Sequence, residues 1–516
     1  MDMASQTSSQ DVDPLLRLCV TQIRLSADRI TTLQTENQRW RERTAELETA
    51  NEGLQARIAE LEGKVAAERR AGKRQSAPFS KGEPKADPKR AGRKAGQAYG
   101  TKAHRPPPDH VDEVVTVPAP PVCPDCGGQV AVQDNTFQWV ADIPPIRAYV
   151  TRYDIQIGRC AGCDRRVTGR HPGQVSDATG AAAAQIGPRA VALAAVLHHE
   201  LGIPHAKTAK VLAQIGGLSI TPGGVVHALA RAARKCAATD DALVEGIRHS
   251  PVVAADETGW RINGTKQWLW DFVGEDITVY RVLDGRGYEQ AKQVLDADFA
   301  GVLERDGWAA YRGFAKARHQ TCYAHLLRRC HDMIADAADG HTHIPQTVRQ
   351  ILKDALALRD ARDAGRIGPE GLAAQVLRLG ERLDLLLATD PTNEPDRKLL
   401  KHLRNERDAL LTFLVVPGVQ ATNWRAEQGI RPMAVNRKHW GGNRTRGGAD
   451  TLQVLASVLR SARQQRRDPV GILVPLLTSP VPVVADLVIP GRPIPGRGAG
   501  GLIVPGQGDP AQPRAA

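Results

Sequence analysis

The stretch VVAADETGW, residues 252–260, decides how the rest of the chain is interpreted. Its apolar run predicts a buried strand, and that strand ends in the acidic pair Asp256 and Glu257. A carboxylate at the end of a buried strand is either a solvated turn residue or a ligand for a metal ion. Because side chains alternate along a strand, Glu257 is expected on the opposite side from Asp256, with a structural or supporting role.

The residues after this strand predict a small mixed sheet. QWLWDFVG (267–274) and ITVYRVLDG (277–285) read as two more strands, YEQAKQVLD as a helix, and GVLERDGWAAY (301–311) brings a fourth strand that ends near Asp306. In a ribonuclease-H-like fold, carboxylates on the first strand and just past the fourth lie side by side, and Asp256 and Asp306 occupy those positions. Two carboxylates this close repel each other unless a cation lies between them, so the pattern predicts Mg²⁺ or Mn²⁺.

A third acid is expected on a later helix. After a helical span over residues 326–412, Glu427 falls in a short helix within NWRAEQGIRP, and Glu406 in RNERDALL is the alternative. Two metal ions held by three such acids can activate an attacking oxygen and stabilise a leaving oxygen in phosphoryl transfer. Cys322 and His325 share one face of a predicted helix, where they either bind a metal, support the site or simply pack.

Four of the eight cysteines occur as two C-x-x-C pairs, in VCPDCGGQV and GRCAGCDRR. Strand-like segments fill the 33 residues between the pairs, so residues 113–175 are predicted to form a zinc ribbon. A redox role would instead require a single C-x-x-C at the start of a helix. The predicted ligands of the structural zinc are Cys123, Cys126, Cys160 and Cys163.

The net charge of +12 is concentrated in one short segment, because twelve Lys or Arg and only two acids lie between Arg69 and Arg105. Residues 69–112 have no apolar period and are predicted to be a disordered basic linker, acting as a spacer or as an arm that contacts DNA. The candidate DNA contacts are Lys89, Arg90, Arg93 and Lys94 in the linker and Arg431, Arg437 and Lys438 after the third acid, with Arg444 and Arg446 beside them.

At 516 residues the chain should contain several domains. Residues 15–68 repeat apolar residues in an a/d heptad and predict a coiled coil that joins two or more copies. Residues 185–245 predict a helical region, either a helix-turn-helix that binds DNA or an ordinary helical bundle. Residues 478–516 are rich in Pro and Gly and are predicted to be a disordered tail.

The N-terminus MDMASQTSSQDVDP has neither the basic start nor the apolar stretch of a signal peptide. No apolar run reaches the length of about 18 residues that a membrane span requires. The expected location is therefore the cytoplasm, in association with the nucleoid, with no membrane partner.

Taken together, the motifs resemble those of the insertion-sequence-sixty-six family of bacterial DDE transposases. The matching blocks are SAPFSKG…PKADPKRAGRKAG, the two C-x-x-C pairs, DETGW, RDGWAAY, CYAHLLR and NWRAEQGIRP…NRK, in family order over residues 15–470. The resemblance implies a multidomain α/β protein whose ribonuclease-H-like core, residues 250–325 and 413–470, is interrupted by a helical insertion, residues 326–412.

Carried over to this sequence, the family motif implies Asp256, Asp306 and Glu427 as the metal-binding triad. The last block departs from the family pattern, since Trp424 stands where a second Asn is usual and Gln428 follows the acid. The acid itself is kept.

The expected activity is DNA transposition: water cuts a phosphodiester at the element end, and the freed 3′-hydroxyl attacks target DNA without a covalent protein intermediate. The expected partners are element-end and target DNA, a second copy of the chain, and other proteins encoded by the element. The alternatives are a DNA-binding regulator or decayed transposase without catalysis, and a structure-selective nuclease that cuts but does not join.

Overall fold

The structure is a computed structural model that divides the chain into two compact units. The first unit covers Met1–Trp139 and the second Val140–Ala516. The residues that the structure describes are 14–73, 106–180, 184–337, 340 and 342–493.

The first unit contains one helix of 60 residues, α1 (Pro14–Lys73). Its heptad positions are exposed along the helix, with 71% of Trp40 and 64% of Leu54 open to solvent. An apolar seam of this length costs free energy in water unless a partner covers it. The predicted linker lies mainly outside the described residues, and so do its four candidate DNA contacts, Lys89, Arg90, Arg93 and Lys94.

The second unit begins with a small antiparallel hairpin formed by β1 (Ile157–Arg159) and β2 (Arg166–Thr168). The strand-like segments between the two C-x-x-C pairs are TFQWVADI (136–143) and AYVTRYDIQIG (148–158), and the described chain has no strand there before Ile157. The side chains in these stretches, such as Phe137 and Tyr149, are largely exposed. Their alternating pattern therefore has no packed surface to stabilise a longer sheet.

A five-stranded sheet forms the centre of the second unit, with strand order β5–β4–β3–β6–β7. β3 pairs antiparallel with β4, and β4 with β5, whereas β6 and β7 run parallel to β3. The parallel step from β5 to β6 passes through helix α5. The strands are β3 (Val252–Ile262), β4 (Thr265–Val273), β5 (Thr278–Leu283), β6 (Val302–Arg305) and β7 (Arg318–Thr321), and α5 is Tyr288–Leu295.

Helices cover both faces of this sheet. Val253 and Phe272 share a core with the helices that precede β3 and with the last two helices, while Trp260 and Leu269 on the other face pack against Ile430 of α11. The helices are α2 (Pro188–Ala195), which continues as a π-helical turn (Val196–Glu200), α3 (His205–Gly216), α4 (Pro222–Arg248), α11 (Trp424–Trp440), α12 (Arg446–Gln464) and α13 (Pro469–Thr478).

Helix α4 belongs to the predicted DNA-binding region. The Thr221 side chain caps its start by accepting a hydrogen bond from the backbone N–H of Gly224 at 3.0 Å. One face of α4 is buried in the core, and the opposite face leaves Arg231 and Arg234 exposed.

Residues between β7 and α11 form a helical cluster with a leucine-rich core of its own. Leu352, Leu383 and Leu400 from three different helices meet in this core. The helices are α6 (Tyr323–Ala335), α7 (His343–Asp363), α8 (Pro369–Leu387), α9 (Glu394–Asn405) and α10 (Thr412–Val415).

The predicted disorder from residue 478 onward is wrong as far as residue 493. Ala485, Leu487 and Ile489 are buried in the main core, and Thr239 of α4 hydrogen-bonds the backbone of this segment. Within this Pro-rich segment, apolar residues occupy every second position from Val483 to Ile489. This spacing allows an extended chain to bury one side. Residues 494–516 lie outside the described residues.

Among the described helices, none is both long and apolar enough to cross a membrane.

Candidate active site and cysteine knuckles

Asp256 lies in the middle of β3, at the centre of the sheet. It is paired in register with Asp271 on β4, and directly opposed residues of an antiparallel pair point to the same face. That face is the one covered by α11, which packs against both strands. The sheet therefore directs Asp256 toward the helix that carries Glu427.

Asp306 follows the last residue of β6, the strand parallel to β3 on its other side. Its carboxylate accepts a hydrogen bond from the backbone N–H of Trp308 at 2.8 Å, which fixes its direction in the loop. A second hydrogen bond stabilises the loop: the buried Arg305 guanidinium donates to the backbone oxygen of Asp306 at 3.0 Å.

Glu427 lies in the first turn of α11, where the helix dipole favours a negative charge. Asn423, just before the helix, fixes this end against the sheet: its side chain donates to the backbone oxygen of Ala255 at 2.8 Å. The Asn423 backbone N–H also donates to the Cys322 sulfur at 3.2 Å. The His325 Nδ1 atom lies 3.8 Å from the Glu427 carboxylate.

The electrostatics indicate that these groups share one neighbourhood. The pKa of Asp256 is raised to about 7, mainly by burial and then by the charges of Glu257 and Asp306, while His325 opposes these effects. The hydrogen bond with Cys322 raises the pKa of His325 despite its partial burial, and the charges of Glu427 and Asp306 add to this effect. The charge of His325 therefore acts on Asp256, while the charges of Asp306 and Glu427 act on His325, and Glu427 also lies close to it.

Glu257 points away from Asp256, as the alternation along a strand requires. Its buried carboxylate pairs with the Arg286 guanidinium and accepts a hydrogen bond from the Tyr311 hydroxyl. Arg286 in turn stacks over the Trp308 ring, 4.1 Å from the ring centre. These contacts connect β3 to the loop after Asp306 and stabilise the spacing between the two aspartates.

Glu406, the alternative third acid, has a different role. Its carboxylate is fully buried and is bound by Arg305, Arg312 and the Thr321 hydroxyl. Burial alone would raise the pKa of Glu406, but these three groups hold it below its ordinary value. Both oxygens of Glu406 are already engaged by these cationic and hydroxyl groups, which favours Glu427 over Glu406 as the third acid.

Sequence reasoning missed Asp271, which lies opposite Asp256. Its side chain is completely buried and neither carboxylate oxygen has a hydrogen-bond partner. Burial, with the charges of Asp256 and Glu257, raises the pKa of Asp271 well above its ordinary value. The signal was an aspartate inside the apolar strand sequence WLWDFV, where strands rarely place an acid.

The basic residues near the third acid differ in whether their side chains are free to contact DNA or already bind other parts of the protein. Arg431 and Lys438 are exposed on α11. Arg437 was predicted to contact DNA, but its guanidinium binds the backbone oxygen of Gly259 and lies 3.2 Å from the Thr258 hydroxyl. Burial lowers the pKa of Arg437. Arg437 therefore fastens α11 to β3.

Arg446 is also occupied. It donates to the backbone oxygen of Val282 at 2.8 Å and pairs with Asp450 at 3.0 Å. Arg444 is exposed at the end of the loop that precedes α12.

Each C-x-x-C pair forms a tight turn, and the two turns follow the same hydrogen-bonding pattern. In the first unit the Cys123 N–H donates to Gly128 O at 2.8 Å, and the Gly127 N–H returns to Cys123 O at 3.0 Å. Gly127 has a φ of +73°, which a glycine adopts without strain. Backbone N–H groups of Cys126 and Asp125 lower the pKa of the Cys123 thiol.

In the second unit the Cys160 N–H donates to Arg165 O at 2.9 Å, and the Asp164 N–H returns to Cys160 O at 2.9 Å. Backbone N–H groups of Gly162 and Cys163 lower the pKa of the Cys160 thiol. Turns that direct N–H groups at a sulfur favour the thiolate, which is the form that binds zinc. Each turn by itself thus has the local geometry of a zinc knuckle.

Comparisons with known proteins identify the family. A sequence model described as Transposase IS66 family matches residues 183–451, which include all three acids and more than half of the chain. The chain is also 25% identical over 400 residues to the "Uncharacterized protein y4qI" of Sinorhizobium fredii (strain NBRC 101917 / NGR234), with 72% of each chain covered. The mixed α/β fold fits a transposase, and the chain belongs to the IS66 transposase family.

Proposed function

We propose that this transposase binds the ends of an insertion sequence and catalyses metal-dependent DNA cleavage and strand transfer with Asp256, Asp306 and Glu427. The observation that carries the proposal is the docking of α11. Asn423 ties the start of that helix to the backbone of β3 beside Asp256, and this places Glu427 on the face of the sheet to which Asp256 points.

The three acids fit a divalent cation. Burial and neighbouring acids raise the pKa of Asp256 to about 7, and a bound cation would relieve this repulsion. Mg²⁺ or Mn²⁺ prefers oxygen ligands, and when bound it polarises the phosphate and the attacking oxygen. In our proposal Asp256 and Asp306 provide a rigid pair of ligands from the sheet and its loop, and Glu427 completes the set from α11.

The order of the strands supports a ribonuclease-H-like core. The antiparallel strands β3, β4 and β5 are followed by a helix and by two strands parallel to β3; Asp256 lies on β3, and Asp306 directly follows the adjacent strand β6. We assign this core to residues 250–325 and 413–470, and the helical cluster of residues 326–412 to an insertion within it.

The remaining regions would hold the DNA and pair the protomers. The exposed heptad seam of α1 supports a coiled coil between copies, and the two cysteine turns support structural zinc in the ribbon region. Arg431, about one turn after Glu427 on α11, and Lys438, about three turns after it, are both exposed and would contact DNA phosphates. The exposed arginines of α4 leave a helix-turn-helix role open to test.

The deciding experiment measures strand cleavage and joining on a labelled duplex that carries the terminal sequences of the element, in Mg²⁺. Wild type is compared with Asp306→Asn and with Asp298→Asn, which changes an exposed aspartate whose partner is Lys316 at 2.7 Å. Loss of a metal ligand should reduce cleavage at least about 100-fold, because metal assistance contributes several kcal/mol to such a reaction. The control should stay within about 2-fold, since exposed ion pairs contribute little.

Each alternative outcome has a distinct meaning. If Asp306→Asn cleaves like wild type, the assignment of the triad fails. If wild type binds the end sequences but neither cuts nor joins, even with the element's other proteins added, the chain is a DNA-binding regulator. Cutting without joining would identify a nuclease.

A further inference from the structure

A second group of metal-binding side chains lies beside the three acids. The Cys322 sulfur, a His325 ring nitrogen and a Glu427 carboxylate oxygen all lie within 4.8 Å of one another. Cys322 immediately precedes α6, His325 lies in the first turn of that helix, and Glu427 lies in the first turn of α11. Two helix starts from distant parts of the sequence therefore converge on one point.

The convergence is fixed by backbone contacts. The Tyr323 N–H donates to the backbone oxygen of Ala421 at 2.9 Å, and the Asn423 N–H donates to the Cys322 sulfur at 3.2 Å. The Cys322 N–H donates to the backbone oxygen of Arg305 at 2.9 Å, which joins the same point to the end of β6. Because these bonds already exist, the three side chains need little reorganisation to meet around an ion.

The chemistry of the three side chains selects a class of metal. A thiolate, an imidazole and one carboxylate match Zn²⁺, whereas Mg²⁺ and Mn²⁺ prefer a set of oxygens. Three protein ligands leave one tetrahedral position for water. Cys322 is buried, while His325 and Glu427 are each more than 40% exposed at the side chain, so an ion can enter from solvent.

We propose that Cys322, His325 and Glu427 form a transition-metal site that binds one Zn²⁺, and that this site shares Glu427 with the proposed magnesium site. The shared ligand is the part of the inference that rests on the proposed function. A carboxylate drawn toward zinc leaves Asp256 and Asp306 without their third partner. Zinc occupancy therefore inhibits Mg²⁺-dependent cleavage.

Zinc binding is tested on the full-length protein, without reference to activity. Metal content after dialysis against limiting zinc is measured by mass spectrometry for wild type, His325→Ala and Cys322→Ser. The matched control is His331→Ala, which removes an exposed histidine from the same helix. Wild type and the control should hold about one zinc per chain more than the two site variants, whatever the other cysteines bind.

The affinity gives a second measure. Loss of a direct ligand should weaken binding of this zinc by more than about 100-fold, because even partners outside the ligand set change metal affinity about 10–100-fold. Equal zinc content and affinity in wild type, His325→Ala and His331→Ala would overturn the proposal. Since His325 is half-exposed, its variant remains informative if Cys322→Ser does not fold.

Competition is tested separately, with cleavage at fixed Mg²⁺ and rising Zn²⁺, each variant normalised to its own zinc-free rate. Wild type and His331→Ala should be inhibited at zinc concentrations at least about 10-fold lower than those that inhibit His325→Ala. Equal sensitivity would refute the shared ligand. Asp256→Asn separates the two proposals, because it should lose cleavage and keep its zinc; cleavage intact in Asp256→Asn would count against the proposed function alone.

Discussion

The buried network around Glu406 gives the sharpest prediction about stability. Glu406 has no exposed side-chain surface, and Arg305 keeps only 2% of its own. Glu406→Gln would present amide hydrogens to Arg305 and leave that guanidinium buried without a counter-charge. Arg312 is 35% exposed, so water can solvate its guanidinium once the Glu406 charge is removed. The destabilisation therefore comes mainly from Arg305. Breaking one partner of a buried pair costs about 3–5 kcal/mol.

The assay is urea unfolding followed by tryptophan fluorescence, with Trp308 close to the network in sequence. For a slope of about 3 kcal/mol per molar urea, the midpoint should fall by about 1–1.7 M. The matched control is Glu394→Gln, an exposed residue of α9 that pairs with Arg397 at 2.9 Å. That change should cost no more than about 1 kcal/mol.

The pH dependence supplies an internal check. The pKa of Glu406 is held below its ordinary value of 4.5, so its stabilising effect is complete above that pH and is lost on acidification. The difference between wild type and Glu406→Gln should therefore be full at pH 7 and shrink below about pH 4.5. If Glu406→Gln unfolds at the same urea concentration as the control Glu394→Gln and also loses Mg²⁺-dependent cleavage, the reasoning is refuted. Glu406 would then again be a candidate metal ligand.

Three further predictions follow from the site. The pKa of Asp256 is raised from 3.8 to about 7, so without metal the free energy of unfolding should decrease as pH rises from about 4 to 7, because the folded state retains a proton that the unfolded state loses. With subsaturating Mg²⁺ the rate of cleavage should instead increase over the same range, since protons compete with the cation. Gly429→Ala would place a methyl group 2.3 Å from the Asp271 carboxylate and should destabilise the protein by about 1–3 kcal/mol, measured by urea unfolding, while displacing the helix of the third acid. Lys438→Gln should reduce the slope of log affinity against log salt by about 1 in a DNA-binding titration, because one phosphate contact is lost.

The controls use comparable positions. Asp256→Asn should remove the pH dependence of stability, and a curve unchanged from wild type would contradict that assignment. Gly447→Ala, in α12 with no atom near its added methyl group, should be neutral or stabilising by up to about 1 kcal/mol. Arg437→Gln should mainly lower stability, since this side chain already binds β3; a change in the salt slope equal to that of Lys438 would argue for a DNA contact.

Several local features could be predicted because their causes are local. The apolar run before Asp256 forms the first part of β3, which continues to Ile262. Alternation along β3 was enough to separate Asp256 from Glu257. These predictions depend on residue spacing of two, and tertiary contacts do not reverse them.

Other features depend on partners far away in the sequence. The pattern of residues offered both Glu406 and Glu427 as a third acid, and the choice required seeing that Arg305, about 100 residues earlier, binds the first of them. The sequence predicted that Arg437 contacts DNA, whereas in the structure its guanidinium binds the backbone of β3. No local pattern reports which long-range partner occupies a charged group.

The sequence by itself therefore indicated the strands β3 to β6, the heptads and the family motifs, because short-range spacing and side-chain chemistry govern them. Only the tertiary structure decided that residues 483–489 pack into the core, that Asp271 is buried opposite Asp256, and that Cys322, His325 and Glu427 converge. The physical reason is that burial and charge pairing depend on which distant segments meet, and that is set by the packing of the sheet against α11 and the helical cluster.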